Sequence, residues 1–321
     1  MRDELLGHLQ ALVACDTRNP PRAIGTGGMF DYLAAQLPGF TLDLVDHGAG
    51  AVSLFAHRGQ PRVLFNVHLD TVPTADGWSQ SPFALTIRDD RAYGLGACDI
   101  KGGAAAMVTA ARATDAPCAI LFTTDEEAND PRCIAAFLER RLPFDLVMVA
   151  EPTRCEAVLA HRGISSARIA FKGTSAHAST ATPDSALHAA VRWGHAALGI
   201  AEREQHQRFG GLTGLRFNLG RIEGGIKANV VAPSAEIRFG FRALPSMSVA
   251  DLHRELAALA TAASLAAYEE TFQGPSLPAG SIADAEERRL KARDLVDAFG
   301  LPVGPAVDFW TEASLFSAAG Y

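Results

Sequence analysis

The chain has 321 residues, more than one hydrophobic core usually serves, so two domains are expected. Apolar residues make up 48% and charged residues 20%, the balance of a soluble globular protein, and the net charge of −7 comes with scattered basic residues, which argues against a nucleic-acid partner. No apolar run approaches the ~20 residues that span a bilayer. The five cysteines are dispersed and form no C-x-x-C pair, so reduced thiols in the cytoplasm are expected rather than a disulfide framework.

The N-terminal stretch MRDELLGHLQALVACDT has an amphipathic period and acids in its first turn, and it reads as a helix rather than a signal peptide. Residues 63–67 (VLFNV), 118–123 (CAILFT) and 145–150 (DLVMVA) are short apolar runs of buried-strand type. Between them, 102–113 (GGAAAMVTAARA) and 131–141 (PRCIAAFLERR) have helical composition; the second opens with Pro and closes in arginines, as helix termini favour. Alternating strands and helices predict an α/β domain with a mostly parallel sheet and flanking helices.

From about residue 162 the pattern changes. Strands are predicted at 165–173, 212–225, 229–245 and 266–274, with helices at 184–204 and 249–263. The order β-α-β-β-α-β fits a ferredoxin-like α+β sandwich. The expected division is 1–162 for the first part of an α/β domain, 163–275 for the insertion and 276–321 for a return to the first domain. That return reads as a helix at 283–299 and then a loop, DFWTEASLFSAAGY (308–321).

Several polar segments stand just past the apolar strands: HLD (68–70), GACDIKGG (96–103), TTDEEAND (123–130) and VAEPT (149–153). In an open α/β sheet, sites form outside the carboxyl ends of the strands. His68, Asp99, Glu126, Glu127 and Glu151 are therefore expected at one sheet edge. Imidazole with carboxylate suits Zn²⁺, Co²⁺ or Mn²⁺, and a bridging carboxylate permits two ions ~3.5–4 Å apart. Asp70 is placed to accept the second ring N–H of His68 and fix its tautomer. Taken singly, each residue has an ordinary structural reading: a D-E-E run makes a solvated turn, and Asp99 caps a helix. It is their convergence at separate strand ends that favours a site.

HLDTVP, GACDIKGG, TTDEE and AEPT, followed by an inserted segment carrying GTSAHAS (173–179) and GGIKANVV (224–231), resemble the M20 metallopeptidase and deacylase family. The resemblance covers essentially the whole chain. DTRNPPRAI, EEANDPRCIAAFL, VLAHRGISS, RFGGLTGLRFN and FWTEASLFSA are most similar to its acetylornithine deacetylase branch. It implies a zinc-exopeptidase-like catalytic domain with an inserted ferredoxin-like dimerisation domain. It also implies a homodimer with two divalent metal ions, Zn or Co, per subunit. The implied activity is deacetylation of N-acetyl-L-citrulline or N-acetyl-L-ornithine in arginine biosynthesis. A desuccinylase or dipeptidase of the same family, or a non-catalytic dimeric relative, stays open.

By position, the resemblance implies His68 and Glu151 on one metal, Asp99 bridging, Glu127 on the second, Asp70 orienting His68, and Glu126 as general base. His177 would reach across the dimer to the oxyanion. Asn229 and Arg242 would hold the substrate's α-carboxylate, and Thr311 would add a donor. In the family the second metal takes one further histidine after the TEAS loop, whereas none of the ten histidines here lies beyond His253. A second site left incomplete in this chain is therefore expected. The sequence would then be either a piece of a longer gene product or a relative with one damaged metal site.

Overall fold

A computed structural model describes residues 1–128, 130–179 and 184–321. Its backbone forms two compact units: Met1–Cys155 with Thr311–Tyr321, and Glu156–Trp310.

The first unit runs α1 (Arg2–Val13), α2 (Met29–Gln36), β1 (Thr41–Asp46), β2 (Val52–Arg58), β3 (Val63–His68), a small hairpin of β4 (Thr86–Arg88) and β5 (Arg91–Tyr93), α3 (Gly102–Arg112), β6 (Cys118–Thr123), α4 (Arg132–Leu138) and β7 (Leu146–Val149). A short helix, Ala313–Ala318, completes it. The sheet order is β1-β2-β6-β3-β7. The β6-β3-β7 half is parallel, while β1 and β2 join it antiparallel.

Side chains of the central strands divide by period 2 between two cores. Leu54, Ala56, Val67, Ile120 and Phe122 pack on the α1–α2–α3 side, with Leu12, Phe30, Leu33 and Val108. Phe55, Leu64, Ala119 and Leu121 pack on the opposite side, with Ile134 and Phe137 of α4 and Phe316. Burial on both faces is why these strands read as unbroken apolar runs. The 313–318 stretch, expected as loop, is helical because Phe316 buries itself edge-on against Phe137 and Tyr321. Packing supplies what six residues of ordinary propensity cannot.

The second unit contains β8 (Ile164–Lys172), α5 (Ala186–Arg203), a ribbon of β9 (Arg208–Phe209) and β10 (Leu212–Thr213), β11 (Arg216–Gly224), β12 (Ser234–Arg242), α6 (Val249–Ala258), β13 (Leu265–Gly274) and α7 (Ala285–Ala298). The sheet order β11-β12-β8-β13, antiparallel throughout, is the ferredoxin-like arrangement anticipated for β-α-β-β-α-β. Ser185 and Ser248 cap α5 and α6 through their hydroxyls. Trp193 of α5 lies against Phe239 and Phe171 of the sheet.

Residues 276–310, expected with the first domain, lie in the second unit. The reason is packing. Ala285 of α7 joins Ala160, Phe209, Leu212 and Leu244 in one apolar cluster. The fully buried Arg162 donates to Asp308 Oδ1 (2.5 Å), Gly214 O (2.5 Å) and Thr213 O (2.7 Å), which ties the segment before Trp310 to this unit.

Candidate metal centre

The carboxyl ends of the parallel strands carry the site. His68 is the last residue of β3, paired across to Thr123 at the end of β6. The strand β7 stops two residues before Glu151, and the turn after β6 holds Glu126 and Glu127. Asp99 stands with extended backbone (φ −117°, ψ 92°) in an irregular turn, Ala97–Lys101, that leads into α3. Gly96 opens this turn at φ +74°, and a Cβ there would come 2.5 Å from the Thr71 methyl. Only glycine lets the Asp99 turn lie this close to the tail of β3.

His68 Nδ1 lies 3.1 Å from the carbonyl of Asp70 and 3.4 Å from its Oδ1. Both are acceptors, so Nδ1 carries a proton, which leaves Nε2 as the ring atom that would give its lone pair to a metal. Nε2 is 3.2 Å from Asp99 Oδ1. Asp70 lies beyond the end of β3 rather than within it.

Ligand atoms of His68, Asp99 and Glu151 all lie within 4.8 Å of one another, and no other such group occurs among the described residues. Two ligands on a tetrahedral zinc are about 3.3 Å apart, close to the His68–Asp99 spacing. An ion between them would take the place of the proton that the ring and the Asp99 carboxylate share. The donor set thus fits a divalent cation. Glu127 does not join the trio; its own N–H donates to Asp70 Oδ2 at 3.0 Å.

The electrostatics agree. Burial, then the neighbouring carboxylates, push Glu126 up to about 7 and Glu151 up to about 8, with His68 opposing both. Glu127 is raised in the same way. Burial works to lower the pKa of His68, but hydrogen bonds to Asp70 and Asp99 outweigh it and hold the ring well above its ordinary value. Many acids face one histidine, a balance that calls for a cation.

The other expected residues stand as follows. Thr311 is buried in the first unit, and its hydroxyl accepts the N–H of Ala313 at 3.3 Å. In the second unit, exposed His177 meets Ser179 Oγ at 2.7 Å through Nδ1, and its backbone bridges to Val230. Asn229 is exposed, and its carbonyl accepts the N–H of Ala178 at 3.0 Å. Arg242 ends β12 half-buried; burial lowers its pKa, and no carboxylate pairs with it among the described residues.

Comparison with known sequences and folds now decides the kinship. The profile of peptidase family M20/M25/M40 matches residues 64–284. The chain belongs to this family. It is 64% identical over 319 residues to an N-acetyl-L-citrulline deacetylase of Xanthomonas campestris, covering 98% of this chain and 87% of the relative. An acetylornithine deacetylase of Salmonella arizonae is 31% identical over 243 residues, 71% of this chain and 57% of that protein. Among solved structures, a tripeptidase from Staphylococcus aureus shares the fold with a TM-score of 0.73 at 16% identity, over 100% of this chain and 88% of that one.

Further buried polar residues of the first unit have no marked signal in the sequence. Asn19, buried on the loop after α1, donates through Nδ2 to Asp70 Oδ2 at 3.0 Å. Glu312, next to Thr311, is also buried; its Oε2 accepts from Thr123 Oγ1 at 3.3 Å, and its Oε1 has no hydrogen-bond partner. Burial first, then Asp125, hold its carboxyl well above the usual range. Lys101 donates Nζ to the carbonyl of Cys15 at 2.9 Å, and burial depresses it to about 8. The only local signals were an Asn before two prolines and a Glu in an otherwise apolar stretch.

Proposed function

We propose that this M20 protein is a metal-dependent amide hydrolase that removes acetate from N-acetyl-L-citrulline. The observation that carries the chemistry is the convergence of His68, Asp99 and Glu151 beside Glu126. Kinship carries the substrate, through 64% identity with the citrulline enzyme along nearly the whole chain. N-acetyl-L-ornithine is the second reading, favoured by the more distant deacetylase.

In this reading His68, Asp99 and Glu151 would hold one divalent ion, zinc or cobalt, and Asp99 and Glu127 would contribute to a second. When bound, the ions lower the pKa of water and polarise the acyl carbonyl. The chain's own residues do the rest. Glu126, shielded from solvent, takes a proton from the attacking water as the new C–O bond forms. When the C–N bond breaks, it returns that proton to the departing amine, leaving acetate and the free amino acid. A base held near neutrality by burial suits both directions of transfer.

His177 donates to the developing oxyanion from a second copy of the chain, a role its exposed loop position allows. Arg242, half-buried with no acid beside it, and Asn229 take the α-carboxylate; a planar fork suits that group. Thr311 adds a donor. The homodimer forms through the second unit, where β11 is an edge strand and Ile222, Ile226 and Val191 are 50%, 73% and 63% exposed. Five free thiols support a cytoplasmic setting. No helix among the described residues is long and apolar enough to cross a membrane.

The test is acetate or succinate release from N-acetyl-L-citrulline, N-acetyl-L-ornithine and N-succinyl-diaminopimelate with Zn²⁺ or Co²⁺ supplied. Preference for the citrulline compound is expected. Preference for the succinyl compound would exclude the deacetylase.

A further inference from the structure

We infer that Asn19 is a positioning residue of the metal centre: its side-chain amide fixes the Asp70 carboxylate, and through it the His68 ring. The inference rests on the metal-binding reading above, and it concerns a residue that touches neither the metal ligands nor the substrate groups named there.

The geometry begins in the loop after α1. Residues 17–19 lie beside 69–71 like a short parallel strand pair. Thr17 Oγ1 donates to Leu69 O at 2.7 Å, Thr71 N to Thr17 O at 3.0 Å, and Asn19 N to Thr71 O at 2.7 Å. Thr17, Asn19, Asp70 and Thr71 are all buried. Asn19 precedes Pro20-Pro21, and a residue before proline is restricted to extended backbone. The loop therefore holds its side chain on a stiff mount, aimed at Asp70.

Asp70 Oδ2 accepts from Asn19 Nδ2 and from Glu127 N, both at 3.0 Å, while Oδ1 faces His68 Nδ1 at 3.4 Å. Two donors from opposite segments fix the plane of the carboxylate. The amide is well chosen for this: it gives a hydrogen bond without adding negative charge to a crowded acidic site. An aspartate of the same shape would offer no donor and one more charge. A ring-orienting carboxylate is itself worth about 10–100-fold in metal affinity, so a residue one step further out is expected to act at the lower end of that range.

The experiment titrates metal-free protein with Zn²⁺ and records the visible absorption of the Co²⁺-loaded form. It compares wild type, Asn19→Ala, Asn19→Asp, Asn19→Ser and a core control, Leu33→Ala. Thermal unfolding without metal reports folding, and if Asn19→Ala does not fold, Asn19→Asp and Asn19→Ser carry the comparison. We expect Zn²⁺ affinity to fall about tenfold in Asn19→Ala and further in Asn19→Asp, with a changed Co²⁺ spectrum. Asn19→Ser, which keeps a shorter donor, should fall between wild type and Ala. Leu33→Ala should lower the unfolding midpoint and leave affinity within about twofold of wild type. Wild-type affinity and spectrum in folded Asn19→Asp would overturn the inference. Failure of wild type itself to bind Zn²⁺ or Co²⁺ would instead remove the metal-binding reading, and this inference with it.

Discussion

Removing the divalent ion should make the protein lose stability as pH rises through neutrality. Without a cation, burial and neighbouring acids hold Glu126 up to about 7 and Glu151 up to about 8, against an ordinary 4.5. Above pH ~4.5 the folded chain thus keeps protons that the unfolded chain has released, and stability falls with pH by about 1.4 kcal/mol per unit for each extra proton held. Three other groups act in the opposite sense. His8 and His253 are pushed down by burial, and because an unfolded histidine is still half protonated at 6.5, together they return up to about 0.8 kcal/mol above that pH. Lys101, depressed to about 8, begins to add stability only near that pH. Between pH ~6.5 and ~8 the acid cluster outweighs all three. There Glu126 and Glu151, less the opposing shares of Lys101, His8 and His253, give a loss of about 1 kcal/mol, or roughly 2–4 °C in midpoint for a domain of this size. His68 and Glu312, both held well above their ordinary values, keep protons in the folded chain and add loss of the same sign. Thermal or urea unfolding with chelator present, set beside Zn²⁺-loaded protein, measures this. Metal binding displaces these protons, so the loaded protein should hold or gain stability over the same window. A chelated protein whose midpoint is flat or rises from pH ~6.5 to ~8 would refute the reasoning.

Glu126→Gln should keep Zn²⁺ or Co²⁺ while turnover falls by about 10²–10⁴-fold, whereas Glu127→Ala should lose metal from the second position; metal content beside kcat separates the two. Near-normal activity in metal-loaded Glu126→Gln would remove its role as base. Phe316→Ala, which empties the contact with Phe137 and Tyr321, should cost about 3–5 kcal/mol in urea unfolding. A cost below about 1 kcal/mol would show that the 313–318 helix does not close this core.

The strands that carry the site were legible because they are buried on both faces. VLFNV, CAILFT and DLVMVA leave no polar period to misread, and in a parallel sheet their carboxyl ends share one edge. β1 was less visible: TLDLVD lies at the sheet margin with most residues exposed, so it lacks an apolar run. The helix at 313–318 read as loop because its stability comes from Phe316 in a distant core. The same distinction holds in the site. His68, Asp99 and Glu151 announce themselves by chemistry at strand ends. Asn19 and Glu312 act on partners 51 and 189 residues away, and nothing local marks an amide or a carboxyl as turned inward.

The acids of the first unit are not equivalent, and hydrogen bonding separates them. Asp70 has two donors on one oxygen and a histidine facing the other. Glu312 has one hydroxyl donor on Oε2 and none on Oε1, and burial keeps its carboxyl protonated far above the usual range. A protonated Glu312 adds bulk and a hydrogen-bond link to Thr123, opposite His68, without adding charge beneath the site. Glu126 and Glu151 lie between these extremes, near neutrality, and a cation would shift them most. The donors around each carboxyl thus set a doubly bonded Asp70 and a buried, once-bonded Glu312 apart from two groups poised to exchange protons for metal.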